Sequence, residues 1–135
     1  TLYVFSYGGD LDLSTAFCDI VEMSRIPIIT VCAGVAMSAG FLIFLSGKRR
    51  YATKQSVFLA HQGSAAFSGS ASEIEESQKN YKRMLDKMEE YILSHTNIDQ
   101  KLFSRNKKKD WYISGRNEIE SLGIAKVITS FEEIE

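Results

Sequence analysis

No run in this sequence approaches the roughly 18 consecutive apolar residues that a membrane-spanning helix needs. The opening residues, TLYVFSYGG, carry no basic stretch of the kind that begins a secretion signal. They read as a buried strand entered directly, so further chain is expected upstream of Thr1. Net charge is also lacking: 16 basic against 17 acidic side chains leave -1, which offers no electrostatic footing for a nucleic acid or an anionic membrane. The run Lys107-Lys108-Lys109 is too short to change that and reads as a solvated loop. Histidine is limited to His61 and His95, and neither has a Cys or His partner at a ligand interval, so no metal site is expected. Cysteine is limited to Cys18 and Cys32, each inside an apolar run; both are expected as buried free thiols, in keeping with a reducing compartment. Internal repeats and low-complexity segments are absent. What remains is ordinary for a water-soluble globular protein: 135 residues, 44% hydrophobic and 24% charged, enough for one domain over 1–135.

Strand-like and helix-like patterns alternate along the chain. LYVF (2–5) is a short apolar run ended by Gly8-Gly9. Residues 13–25 carry Leu13, Ala16, Phe17, Ile20, Val21 and Met23 at helical spacing, with Asp10 in the turn and Asp12 as the expected N-cap. PIITVC, from Pro27, is continuous and β-branched, as suits a strand buried on both faces. AGFLIFLSG (39–47) reads as a short internal helix, and RRYAT and SVFLAH as two strands across a short turn. The longest helix is expected over about 73–95, acidic in its first turn and basic in its middle, the charge order the helix dipole favours. A short helix near 98–104, a polar link to Asp110, a helix near 115–122 capped by Ser114, and a strand IAKVI follow. The class is α/β with a mainly parallel sheet.

One stretch invites a chemical reading. AGVAMSAGFLIF (33–44) sets a single hydroxyl, Ser38, between two small-residue clusters where a strand gives way to a helix. A serine becomes a useful nucleophile only when a base takes its proton and a third group orients that base. The many serines and aspartates allow far too many Ser-His-Asp combinations for composition to single one out. Position narrows the field: Ser38 opens a helix, His61 ends a strand and Asp110 follows a polar loop, so all three lie at element ends. The local AMSAG is only a loose cousin of the G-x-S-x-G elbow, with Ala36 in the first glycine's place.

Read together, YGGD (7–10), GVAMSAGFLIFLSGKRRYA (34–52), AHQG (60–63), GSASEIEESQKNYKRMLDKMEEYILSHTN (69–97) and KDWYISGRNEIESLGIAKVI (109–128) resemble the Clp protease proteolytic subunit family, collinearly from Leu2 to about Ile128. The resemblance implies the fold shared by those peptidases and the crotonases: stacked ββα units with a long protruding handle helix. It implies a serine endopeptidase working through an acyl-enzyme, with Ser38 as nucleophile, His61 as general base and Asp110 as its orienting partner. The backbone N–H groups of Gly9 and Ala39 would form the oxyanion hole. Elementary physics agrees for these two. Gly9 has no side chain to block a carbonyl, and Ala39 opens a helix, where N–H groups are unpaired and negative charge is favoured. No cofactor is implied. The implied partners are peptide or unfolded-protein substrates, further copies of the chain in stacked rings, and an AAA+ unfoldase. The implied location is the cytoplasm or an organelle matrix.

Four departures accompany the resemblance. Tyr7 stands where the family usually has proline before its Gly-Gly, and Gly63 where it has proline after His-Gln. The residues before Asp110 are NKKK rather than the family's more acidic pattern, and the family's N-terminal part is not matched. His95 matches a structural His-Thr at the end of the long helix. Two other readings stand beside the peptidase. One is a non-catalytic ring subunit or scaffold. The other is a crotonase-like acyl-CoA enzyme, for which no catalytic carboxylate near Gly9 and Ala39 is identifiable.

Overall fold

The computed structural model describes residues 1–135 as a six-stranded sheet with five α-helices. Its centre is β2 (Ile29–Met37), whose Thr30, Val31 and Cys32 are fully buried, in line with a β-branched run that lacks polar alternation. β1 (Leu2–Ser6) pairs along one edge of β2 in parallel. The other edge is shared end to end by β3 (Arg49–Thr53) and β4 (Val57–Ala60), both also parallel to β2. The two strands read from RRYAT and SVFLAH are therefore successive pieces along one edge, not a hairpin. Between Ala52 opposite Cys32 and Val57 opposite Val35, the partner segment is two residues longer than β2. Ser56 pins this kink, its hydroxyl donating to the Cys32 carbonyl at 2.9 Å.

Beyond the kink the sheet branches. β6 (Lys126–Ile128) adds to β3 in parallel, and β5 (Trp111–Ser114) adds to β4 as the one antiparallel pair. β5 was not apparent in the sequence, where its four residues merge with the polar link. It also corrects the expected helix cap: Ser114 ends β5, and α5 (Arg116–Ser121) starts from Gly115. β1 departs from expectation too. Val4 is buried, but Tyr3 and Phe5 point outward at 56% and 64% exposure, so this strand is not buried on both faces.

α2 (Ala39–Leu45) lies against the sheet and is buried except at Ile43. Gly40 lets it approach β1, since a Cβ there would stand 2.8 Å from that of Ser6. Phe41 and Phe44 meet the Phe58 ring with centroids 5.5 and 4.9 Å apart, the centre of the core. Arg50 ties several element ends together. Its guanidinium donates to the carbonyls of Leu45, His95, Gly123 and Ile124 at 2.7–3.1 Å.

α1 (Leu11–Glu22) is capped by Asp10, whose carboxylate accepts from the Leu13 N–H; Asp12 instead sits in the first turn and pairs with Arg83. The helix ends before residue 25 and turns its apolar stripe away from the core. Ser14 and Cys18 are its buried residues, while Leu13 and Ile20 are 73% and 69% exposed. α3 (Ala71–His95) begins at a reciprocal capping box between Ser70 and Glu73 and runs 25 residues, about 37 Å. Only Met88 and Ile92 are fully buried, so its N-terminal half extends away from the core as a handle. At its end His95 pairs with Glu22 at 2.6 Å and stacks on Tyr91, a structural engagement. α4 (Gln100–Asn106), capped by Asp99, leads toward Asp110. Cys18 and Cys32 are buried free thiols, and no helix is long and apolar enough to cross a membrane.

Candidate active site

Ser38 occupies the corner between β2 and α2. It is the single non-glycine residue with positive φ in the chain, at φ 55 and ψ -119. A serine held there carries roughly 1–3 kcal/mol of backbone strain, which persists only where its surroundings over-determine it. They do so here. The Ser38 N–H donates to the Leu59 carbonyl on β4 at 2.9 Å, and its own carbonyl accepts from Phe41 at 3.0 Å in the first turn of α2. Gly8 closes over the same corner. With φ at 115, a Cβ on it would come within 3.1 Å of both the Met37 carbonyl and the Ser38 Cβ. The sequence drew attention to Gly9, whereas Gly8 is the residue whose missing side chain lets the 7–10 turn sit on Ser38.

Gly9 and Ala39 both line one cleft of about 280 Å³ together with Gly8, Ser14 and Gly40. A Cβ on Gly9 would touch nothing, and its N–H has no hydrogen-bond partner. Ala39 opens α2, where the Ser38 side chain makes no capping hydrogen bond, so its N–H has neither a helical partner nor a cap. This wall can therefore offer two backbone donors to a negative oxygen.

His61 follows directly on β4, and Asp110 directly precedes β5. Because Ala60 pairs with Trp111, the antiparallel ladder brings the two side chains together, with Nδ1 of His61 3.1 Å from Oδ1 of Asp110. A carboxylate only accepts, so the Nδ1 of His61 is the donor in this pair, and in the neutral ring the lone pair then lies on Nε2. The His61 side chain is 25% exposed and that of Asp110 58%.

The loop after His61 is fastened from two sides. The Gln62 N–H donates to the Lys107 carbonyl at 3.2 Å, and the Tyr81 hydroxyl, from the handle helix, donates to the Gln62 carbonyl at 2.9 Å. Gly63 adopts φ 71, which the proline usual in that position cannot reach. A second cleft, of about 400 Å³, is lined by His61, Gln62, Gly63, Ser64, Lys108, Lys109 and Asp110. Of the lysine run expected as a solvated loop, Lys108 and Lys109 are exposed and line one side of this cleft.

The structure brings His61 and Asp110 together and sets Gly9 beside Ala39, but it leaves one link open. No hydrogen bond joins Ser38 to His61, and the Ser38 hydroxyl has no partner. No group of three or more acidic, histidine or cysteine side chains is placed to hold a metal.

Known proteins supply the context. A protein in Treponema denticola named ATP-dependent Clp protease proteolytic subunit 2 is 29% identical over 135 residues, covering 98% of this chain and 68% of that protein. A Deinococcus radiodurans protein named ATP-dependent Clp protease proteolytic subunit is 28% identical over 134 residues. The chain spans about two thirds of the length of these relatives, 68% and 66%. Among solved structures, a ClpP1 variant from Listeria monocytogenes superposes with a TM-score of 0.86 over 98% of this chain and 75% of that one, at 22% identity, so the fold is shared. The family model described as Clp protease matches residues 1–131, and by that match the chain belongs to the Clp protease family.

Proposed function

We propose that this chain is a serine endopeptidase subunit that cleaves peptides through Ser38, His61 and Asp110. The observation that carries the reading is the strained Ser38, held at a strand-to-helix corner in a chain whose His61 and Asp110 are already paired. In the reaction, the Ser38 Oγ attacks the scissile carbonyl while Nε2 of His61 takes its proton. Asp110, accepting from Nδ1, holds the ring and stabilises the imidazolium. The carbonyl oxygen becomes an oxyanion between the N–H groups of Gly9 and Ala39. Collapse of the intermediate passes the proton from Nε2 to the leaving amine and leaves Ser38 acylated; water then repeats the sequence and releases the acid.

The attack requires Ser38 and His61 to meet, and self-assembly is the proposed cause. Leu13, Phe17, Ile20, Met23 and Ile26 leave an apolar face uncovered along and just beyond α1, and Tyr3, Phe5 and Tyr7 do the same on and just beyond β1. Faces of this kind are suited to burial by neighbouring copies. The handle helix gives a second contact between copies, and enclosure of the sites in rings would restrict a weakly selective peptidase to threaded substrates. Peptides and unfolded proteins are the proposed substrates, and an AAA+ unfoldase the proposed source of the latter.

The unjoined Ser38 and His61 favour a second reading, a ring subunit that assembles without cleaving. Fluorogenic peptide hydrolysis separates the two. Assembled wild type should cleave, and Ser38→Ala and His61→Ala should each lower turnover by at least about a thousandfold. Assembled wild type that matches those variants would support the scaffold.

A further inference from the structure

We propose that Lys108 and Lys109 form a subsite that selects peptides bearing Asp or Glu next to the scissile bond. This rests on the peptidase reading above and names the substrate class of the same site. The second cleft opens directly onto His61, and none of its seven lining residues is hydrophobic. A cleft without a single aliphatic or aromatic hydrophobic residue offers its specificity chiefly through its polar and charged groups.

The cations in that wall are uncommitted. Lys79, Lys82, Arg83 and Arg116 each have a carboxylate within 4.0 Å, but Lys107, Lys108 and Lys109 have none. The cleft's single acid, Asp110, is taken by His61. Lys108 and Lys109 set two like charges side by side in the cleft, and neither forms an ion pair within the chain. An acidic side chain of a bound peptide is a group that could pair with them, since the cleft's two ammonium groups outnumber its one carboxylate.

The wall is also held in place. The Lys107 N–H donates to the Phe103 carbonyl at 2.8 Å at the end of α4, and the Lys109 N–H to Asn106 at 3.2 Å. The Lys107 carbonyl accepts from Gln62, next to the proposed base, and Trp111 enters the ladder with Ala60. The backbone that carries the ammonium groups is thus anchored to the same strands as His61 and Asp110.

Quenched fluorescent peptides test this on the full, assembled chain. Sets would differ only in Glu, Gln or Lys, placed in turn at each position flanking the cleavage point. At low salt, kcat/KM should be about fivefold higher for Glu than for Gln at one position, and lower still for Lys, the modest size expected of exposed ion pairs. The preference should fade near 0.5 M salt, where the Debye length falls to a few ångströms. In the double variant Lys108→Glu/Lys109→Glu the order should invert, with the Gln peptide as internal reference, and in Lys108→Arg/Lys109→Arg it should survive. Equal cleavage of all three peptides by a protein that also reacts with a fluorophosphonate at Ser38 would overturn the subsite and leave the peptidase standing. Neither cleavage nor label would overturn the peptidase, and the subsite with it.

Discussion

Replacing Arg50 with methionine keeps an unbranched apolar stem but removes the charged fork beyond it. In the structure that fork donates four hydrogen bonds, to the carbonyls of Leu45, His95, Gly123 and Ile124 at 3.1, 2.7, 2.8 and 2.8 Å. Leu45 and His95 are the last residues of α2 and α3, where helix carbonyls lack partners and a cation is favoured. Four charge-assisted bonds at about 1.5–3 kcal/mol each would give a total well above any net effect. Two terms reduce it. Burial already works against the cation and pushes the Arg50 pKa below its ordinary value, so methionine recovers that desolvation cost. The site is only partly buried, so some of the freed carbonyls rehydrate. A net loss of about 3–4 kcal/mol remains, a large share of the ~5–15 kcal/mol that holds a domain together. Urea unfolding at fixed protein concentration, followed through Trp111, the chain's only tryptophan, measures it. With a slope of about 2 kcal/mol per molar, the midpoint should fall by roughly 1.5–2 M. Arg50→Lys should recover less than half, because an ammonium cannot fork toward four acceptors. An Arg50→Met protein within about 1 kcal/mol of wild type would refute the idea that Arg50 joins these element ends.

Ser38→Gly should melt about 2–5 °C above Ser38→Ala, because glycine relieves roughly 1–3 kcal/mol of strain against an entropic cost of about 0.5–1 kcal/mol while alanine keeps the strain; a glycine variant that melts no higher removes the strain from the account. Phe17→Lys with Ile20→Lys should shift sedimentation toward monomer with the circular dichroism spectrum unchanged, and intact assemblies would mean that the exposed face of α1 is not an interface. Burial pushes the Cys32 thiol up to about 11 and that of Cys18 upward as well. Both should therefore resist a thiol reagent at pH 8 in the folded protein and react together once it is unfolded. The unfolded chain ionises first, near the ordinary value of 9.0, so this contribution to stability is whole below that pH and declines as pH rises toward 11. Rapid native labelling of either cysteine would contradict the burial.

What the sequence made legible follows from short-range physics. A β-branched run without alternation identified the central strand, and the acidic first turn of the long helix sits where its capping box forms. The small-residue corner at Ser38 was also legible, because a strand, a lone hydroxyl and an apolar helix are consecutive there. Facing directions were harder. The α1 periodicity marks one apolar face but does not say which body covers it. The side α1 turns inward is occupied by Ser14 and Cys18, whose Oγ and Sγ donate to the Ala39 and Leu42 carbonyls, so a polar-looking side is the packed one. Strand pairing was harder still. Two strands either side of Lys54 and Gln55 read equally well as a hairpin or as collinear pieces, and only long-range register decides. β5 was hidden because Tyr112 and Ser114 face solvent, which leaves two inward positions to signal a strand. At the site, the three residues at element ends were readable, yet the pairing of His61 with Asp110 and the gap to Ser38 are distances between elements that no local pattern encodes.

Labelling with a fluorophosphonate, mapped by mass spectrometry on protein of known assembly state, tests most directly whether Ser38 is an activated nucleophile. The account predicts a label on Ser38 in the assembled chain, absent in Ser38→Ala and lost or greatly slowed in His61→Ala. A folded, assembled protein that leaves Ser38 unlabelled would contradict it.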